Sequence, residues 1–150
     1  MQLLKTIQKT AATLGPVGFI PYAPGTFGTA AAFLMVLLFK PGDMALFMVL
    51  LPLILLGTMA CDIAEKVMGK DSGQIVLDEF CGYLLSVMFL PRNALILFAA
   101  FILFRIFDII KPPPIKRLEE LVPGGAGVMA DDLMAAVYTN ICLQVWLKLL

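Results

Sequence analysis

Apolar residues in this chain fall into continuous runs rather than single-faced stripes. The runs occupy about residues 27–39, 44–60, 79–90, 94–107 and 133–147, divided by polar, proline or glycine punctuation. Segments such as ALILFAAFILF are apolar on every face, which a small water-soluble bundle cannot bury and which lipid accepts. The pattern predicts an all-α protein: a compact bundle of about five short, mostly membrane-embedded helices. Only the second run, MALFMVLLPLILLGTMA, approaches the roughly 20 apolar residues that a bilayer core requires, so the others need polar extensions at their ends. Pro52 is expected to kink that second helix. A soluble or peripheral bundle is the alternative architecture, because runs of about 10 to 14 apolar residues also form core helices.

Before the first run, Leu3, Ile7, Ala11 and Leu14 recur at helical spacing with Lys5 and Lys9 elsewhere on the helix. That suits an amphipathic N-terminal helix lying at the membrane interface, against a simple disordered lead. The stretch lacks the apolar core and cleavage site of a signal peptide. Short connections follow the first and third runs, at Lys40–Asp43 and Pro91–Asn93, so each flanking pair is expected to form an antiparallel hairpin. The N-terminus and the two longer connections then share one side. That side carries Lys5, Lys9, Lys66, Lys70, Lys111, Lys116 and Arg117, with Arg105 close by; the other has only Lys40, Arg92 and Lys148. The excess of Lys and Arg assigns the first side to the cytoplasm.

A hydrophobic share of 61% reinforces the membrane reading, and 150 residues leave room for a single domain spanning 1–150. Eleven basic and eleven acidic residues cancel, so no charge excess points to nucleic acid. Cys61, Cys81 and Cys142 lie in or beside apolar stretches with no CxxC pair, which argues against a disulfide framework or zinc. The chain has no histidine, which removes a Ser/His/Asp triad, a zinc-His site and phosphohistidine chemistry. No cysteine is followed six positions later by arginine, and no DxD pair occurs, so thiolate and aspartyl-phosphate mechanisms are excluded as well. Carboxylates must carry any chemistry.

Those carboxylates cluster in a few segments. In GQIVLDEFCGYLL, Asp78 and Glu79 stand between apolar stretches, where an acid must find a cavity, a cation or a proton. Helix capping by Asp78 is the plainer alternative. In FRIFDIIKPPPIKR, Arg105, Asp108 and Lys111 follow at i, i+3 and i+6, so they either pair internally or aim an arginine fork at phosphate. Three prolines from Pro112 to Pro114 are expected to end that helix. In PGGAGVMADDL, Gly124, Gly125 and Gly127 could cradle an anionic oxygen, and Asp131 and Asp132 follow at the expected start of the last helix, one to cap and one to spare. In PYAPGTFGTAAAF, Gly25, Thr26, Gly28 and Thr29 offer amides and hydroxyls at a helix N-terminus, or simply pack tightly. Asp71 is a further candidate acid. All these segments fall on the same expected side, and oxygen ligands from several helices beside Arg and Lys suit a magnesium site that also binds phosphate.

With these strings in view, the chain resembles the bacterial phosphatidylglycerophosphatase A family, from APGTFGT through DSGQIVLDEF, FRIFDIIKPPPI and GGAGVMADD to the last helix. Pro113 departs from the family pattern, which often has an aromatic between the two prolines. The resemblance implies a Mg²⁺-dependent hydrolase of the inner membrane. It would remove the terminal phosphate of phosphatidylglycerophosphate, leaving phosphatidylglycerol, with the lipid reaching the site sideways from the cytoplasmic leaflet. On that reading Asp78, Glu79, Asp131 and Asp132 hold one or two Mg²⁺ ions. Arg105 and Lys111, with Gly25, Thr26, Gly124 and Gly125, bind phosphate, and Asp108 orients them or ligates metal. The competing reading is a membrane carrier whose acids line an ion path, although the second and fourth runs carry almost no polar residues at depth.

Overall fold

The computed structural model describes residues 2–69 and 72–149, with side chains described for 6–69, 72–117 and 121–149. Helices follow one another in the order α1 (Gln2–Ala12), α2 (Pro24–Phe39), α3 (Asp43–Met68), α4 (Leu77–Ser86), α5 (Ala94–Ile110), α6 (Ile115–Leu121) and α7 (Gly125–Leu149), with no strand among the described residues. The all-α expectation holds, and the helix boundaries differ in an informative way. The second apolar run is only part of the 26-residue α3, and the fifth only part of the 25-residue α7. Hydropathy registers residues that face lipid; the same helices continue through Asp62 and Glu65, or Asp131 and Asp132, where side chains turn inward or reach the polar zone. The third run shrinks instead to a helix of 10 residues. Beyond the prolines, the chain forms α6, which hydropathy had not marked.

Helix α4 is the centre of the bundle. It packs against α2, α3, α5 and α7, and most of its residues are buried, including Leu77, Cys81, Tyr83 and Leu84. Small residues permit this: a Cβ on Gly82 would stand 2.6 Å from the Phe104 ring and 3.2 Å from the Asp132 carbonyl oxygen, so glycine is required where α4 meets α5 and α7. The first expected hairpin does not form. Although α2 and α3 are joined by a short link, they do not pack on each other; α4 takes the inner face of α2, while α3 packs on α1, α4 and α7. The glycine- and alanine-rich face of α2 closes more tightly on α4 than two lipid-type faces could close on each other.

The two short links nevertheless meet at one end of the molecule, as the hairpin reasoning requires. Arg92 ties them together, pairing with Asp43 at 2.5 Å and donating to the carbonyls of Val87, Leu90 and Pro41. Asp43 also accepts from the Phe89 amide at 2.8 Å. Beside them Asn140 of α7 donates to the carbonyls of Ser86 (3.0 Å) and Met88 (2.7 Å), satisfying the open end of α4. Replacing Arg92 with Ala removes this clamp, and we expect it to lower stability in detergent by about 1–3 kcal/mol. Thermal unfolding would show the loss, while turnover per folded molecule should hold because the acids lie at the other end.

Large apolar side chains line the outside. Leu38 is 74% exposed, Leu56 67% and Ile109 70%, and similar residues run along α2, α3, α5 and α7. Large apolar side chains exposed on several helices fit a lipid-facing surface. Among the described residues one helix, α3, is long and apolar enough to cross a membrane by itself. The short α4 spans only about 15 Å, half of a roughly 30 Å hydrocarbon core. With its far end pinned to Asn140, its first turn, carrying Asp78 and Glu79, opens within the bundle rather than above it.

Candidate active site

Three helices deliver acids to one cavity. Its volume is about 170 Å³, and its lining includes Asp78 and Glu79 of α4, Asp108 of α5, and Asp131 and Asp132 of α7. Lys111, Ser72, Gly73, Ile75 and Val128 complete the wall. Asp78 lies in the first turn of α4, but the capping position belongs to Val76 and no side-chain cap is formed there. Asp131 and Asp132 sit well inside α7, past its first turn. Capping therefore accounts for none of the three, and the acids are directed by helix packing toward each other.

Oxygens of Asp78, Glu79 and Asp132 converge within 4.8 Å of one another. Asp78 and Asp132 are buried and Glu79 nearly so, and Asp108 adjoins Asp132. Oδ1 of Asp78, Oε2 of Glu79 and Oδ2 of Asp132 are buried without a hydrogen-bond partner. Buried carboxylates at this spacing repel strongly and have given up their water, a cost that protons or a cation must offset. Hard oxygen donors from separate helices, each with an unsatisfied atom, fit a divalent cation such as Mg²⁺.

Around this group lies a supporting shell. Arg105 Nη1 stands 2.6 Å from Asp108 Oδ2 and 3.8 Å from Glu79 Oε1, and it donates to Thr29 Oγ1 at 3.5 Å. The guanidinium is absent from the cavity wall and is engaged by the acids behind it. The buried Thr29 in turn donates to the Gly25 carbonyl at 3.0 Å. A Cβ on Gly25 would overlap Glu79 Oε1, so the glycine-rich turn of α2 makes room for that carboxylate. Neither Gly25 nor Thr26 borders the cavity.

Lys111 and Asp131 form a second polar group. Lys111 Nζ pairs with Asp131 Oδ2 at 2.5 Å, and Asp131 Oδ1 accepts the Asp132 amide at 3.0 Å. Lys111 closes α5 in a left-handed backbone conformation, φ +47°, a strained geometry for a residue with a Cβ. Asp131 borders the cavity but does not join the three converging carboxylates. The glycine loop before α7 faces elsewhere: Gly124 and Gly125 lie against Asp62 of α3, and the Gly125 amide is directed at the Asp62 carboxylate. The anionic oxygen beside that loop is thus one of the protein's own. Asp71 lies outside the described residues.

Residues 10–147 match the family profile of phosphatidylglycerophosphatase A. The chain belongs to that family. A phosphatidylglycerophosphatase A of Haemophilus influenzae is 37% identical over 154 residues, covering 98% of this chain and 94% of the relative. One from Escherichia coli is 41% identical over 124 residues, 80% of this chain and 72% of the relative. A Bacteroides thetaiotaomicron protein named as a putative phosphatidylinositol-3-phosphatase is 37% identical over 137 residues, 85% and 86% of the two chains. No solved structure matches. As a phosphatidylglycerophosphatase A family member with a lipid-facing exterior, the chain is membrane-associated, and the family match spans every acid of the cavity.

Sequence reasoning had singled out the acids, Arg105 and Lys111. It did not assign Thr29 to Arg105, nor Ser72, Gly73, Ile75 and Val128 to the wall. Spacing within a string cannot reveal Thr29, Ser72, Gly73 and Ile75, which belong to other helices or loops than the acids and Arg105. Val128 instead stands one helical turn before Asp131 and Asp132 on α7, a spacing that could have found it.

Proposed function

We propose that the protein hydrolyses the terminal phosphate monoester of phosphatidylglycerophosphate, releasing phosphatidylglycerol and phosphate, with Mg²⁺ as cofactor. The observation that carries this reading is the convergence of unsatisfied buried carboxylate oxygens in a cavity that also presents Lys111, inside a lipid-facing bundle of this family. The relatives' names support a lipid phosphate monoester as the substrate class.

Asp78, Glu79 and Asp132 would hold Mg²⁺. The ion, when bound, supplies positive charge to the phosphoryl oxygens and acidifies water. Arg105 holds Asp108 in a close ion pair and faces Glu79 at longer range, so its charge steadies both acids when substrate binds. Asp108, on the cavity wall, is the carboxylate we assign to receive the proton of the attacking water. Lys111 presents an ammonium at the same wall, where charge on the transferring phosphoryl group needs a counterion.

Exposed Ile106, Ile109 and Ile110 flank Asp108 and Lys111 on α5, so apolar surface runs up to the polar wall. This supports sideways access from the bilayer, with acyl chains left in lipid. The basic excess on the acid-bearing side supports a cytoplasmic orientation in a bacterial inner membrane.

Phosphate release by the purified protein in detergent tests the reading. Release from phosphatidylglycerophosphate should require Mg²⁺ and exceed that from phosphatidic acid and glycerol 3-phosphate, with phosphatidylinositol 3-phosphate as the comparison for headgroup choice. Full activity in EDTA would sink the metal assignment. Ion flux in liposomes without phosphate release would replace the enzyme with a carrier.

A further inference from the structure

We propose that the Lys111–Asp131 pair forms a subsite for a free hydroxyl on the carbon next to the phosphate monoester, and so selects the headgroup. The inference rests on the lipid phosphatase reading above.

The cavity wall divides into two chemically distinct parts. Asp78, Glu79 and Asp132 converge with unsatisfied oxygens, whereas Asp131 stands outside that group with a side chain only 8% exposed. The Lys111 ammonium compensates the Asp131 charge, so this carboxylate can border a phosphate-binding centre without driving the substrate away. Asp131 is held in place to accept from a substrate donor, because Lys111 fixes Oδ2 and the Asp132 amide fixes Oδ1. An ion-paired carboxylate accepts and does not donate, while the ammonium of Lys111 donates, so together they match a hydroxyl beside a phosphoryl oxygen. Lys111, with a side chain 28% exposed, lies on the outer side of the pair.

Asp131 and Asp132 are consecutive on α7 and both border the cavity, so one small headgroup meets the converging carboxylates and the Lys111–Asp131 pair together. Phosphatidylglycerophosphate has a neighbouring hydroxyl at the middle carbon of its phosphorylated glycerol. An inositol 3-phosphate headgroup also has hydroxyls flanking its phosphate. Phosphatidic acid has none, because the neighbouring oxygen is acylated.

The test compares phosphatidylglycerophosphate with its analogue lacking that hydroxyl, phosphatidyl-1,3-propanediol phosphate, in the same micelles with Mg²⁺. Wild-type kcat/KM should fall about tenfold to a hundredfold on the deoxy lipid. In Asp131→Ala the two lipids should come within about threefold of each other, because the group that distinguishes them is gone. Equal wild-type rates on both lipids would overturn the subsite and leave the phosphatase reading standing. Equal proportional losses on both lipids in Asp131→Ala would also overturn it, returning Asp131 to the metal or the fold. Should wild-type protein release phosphate from neither lipid, the phosphatase reading itself fails. The wild-type comparison needs no variant, so it stands even where Asp131→Ala does not fold.

Discussion

Asp132→Asn, in protein that remains folded, is expected to lose about a thousandfold or more of its phosphatase activity, and Asp78→Asn nearly as much. Each supplies a buried oxygen with no protein partner, so the amide replaces half of a ligand while leaving the packing volume unchanged. The same substitutions separate a metal role from a structural one through stability. Three acids within 4.8 Å repel one another in the fold, and removing one charge relieves that repulsion. We therefore expect each variant to unfold at a temperature no lower than wild type in EDTA, while losing most of the stabilisation that Mg²⁺ gives wild type. A variant that kept the Mg²⁺-induced rise in unfolding temperature would remove that carboxylate from the metal site.

Arg105→Met should be nearly as damaging, by a different route. The side chain is 16% exposed, and its guanidinium stands between Glu79, Asp108 and Thr29 rather than on the cavity wall. Removing it leaves two poorly solvated carboxylates without their counter-charge, a loss of about 2–4 kcal/mol in stability. It also frees the acids to move, which should lower kcat about a hundredfold. Arg105→Lys keeps the charge but not the fork, and is expected to recover stability more than rate. The outcome to watch is KM. Were Arg105→Met to raise KM alone, with stability and kcat intact, the arginine would be a phosphate contact after all.

These expectations differ from what the strings alone suggest. FRIFDIIKPPPIKR offers an arginine and a lysine at helical spacing, and both look like phosphate ligands. In the fold they part company: Arg105 turns to Glu79 and Asp108, and Lys111 reaches across to Asp131 of α7. The glycine strings show the same divergence. Gly25 and Gly125 look like amide cradles in sequence, yet one clears space for Glu79 and the other lies against Asp62.

What the sequence determined by itself was the all-α class, the membrane environment, the identity of the acids and their gathering at one end. The physical reason is that lipid imposes long apolar runs, and a charge placed among them is costly enough to stand out. The positive-inside bias and the short links then argue for one sidedness without any tertiary contact. Helix packing decided the rest. That α2 and α3 do not pair, that α4 is a half-length central helix, and that Asp132 joins Asp78 and Glu79 while its neighbour Asp131 goes to Lys111 all depend on which faces meet. Adjacent residues on a helix point about 100° apart, so two aspartates that read as one motif can serve two different ends.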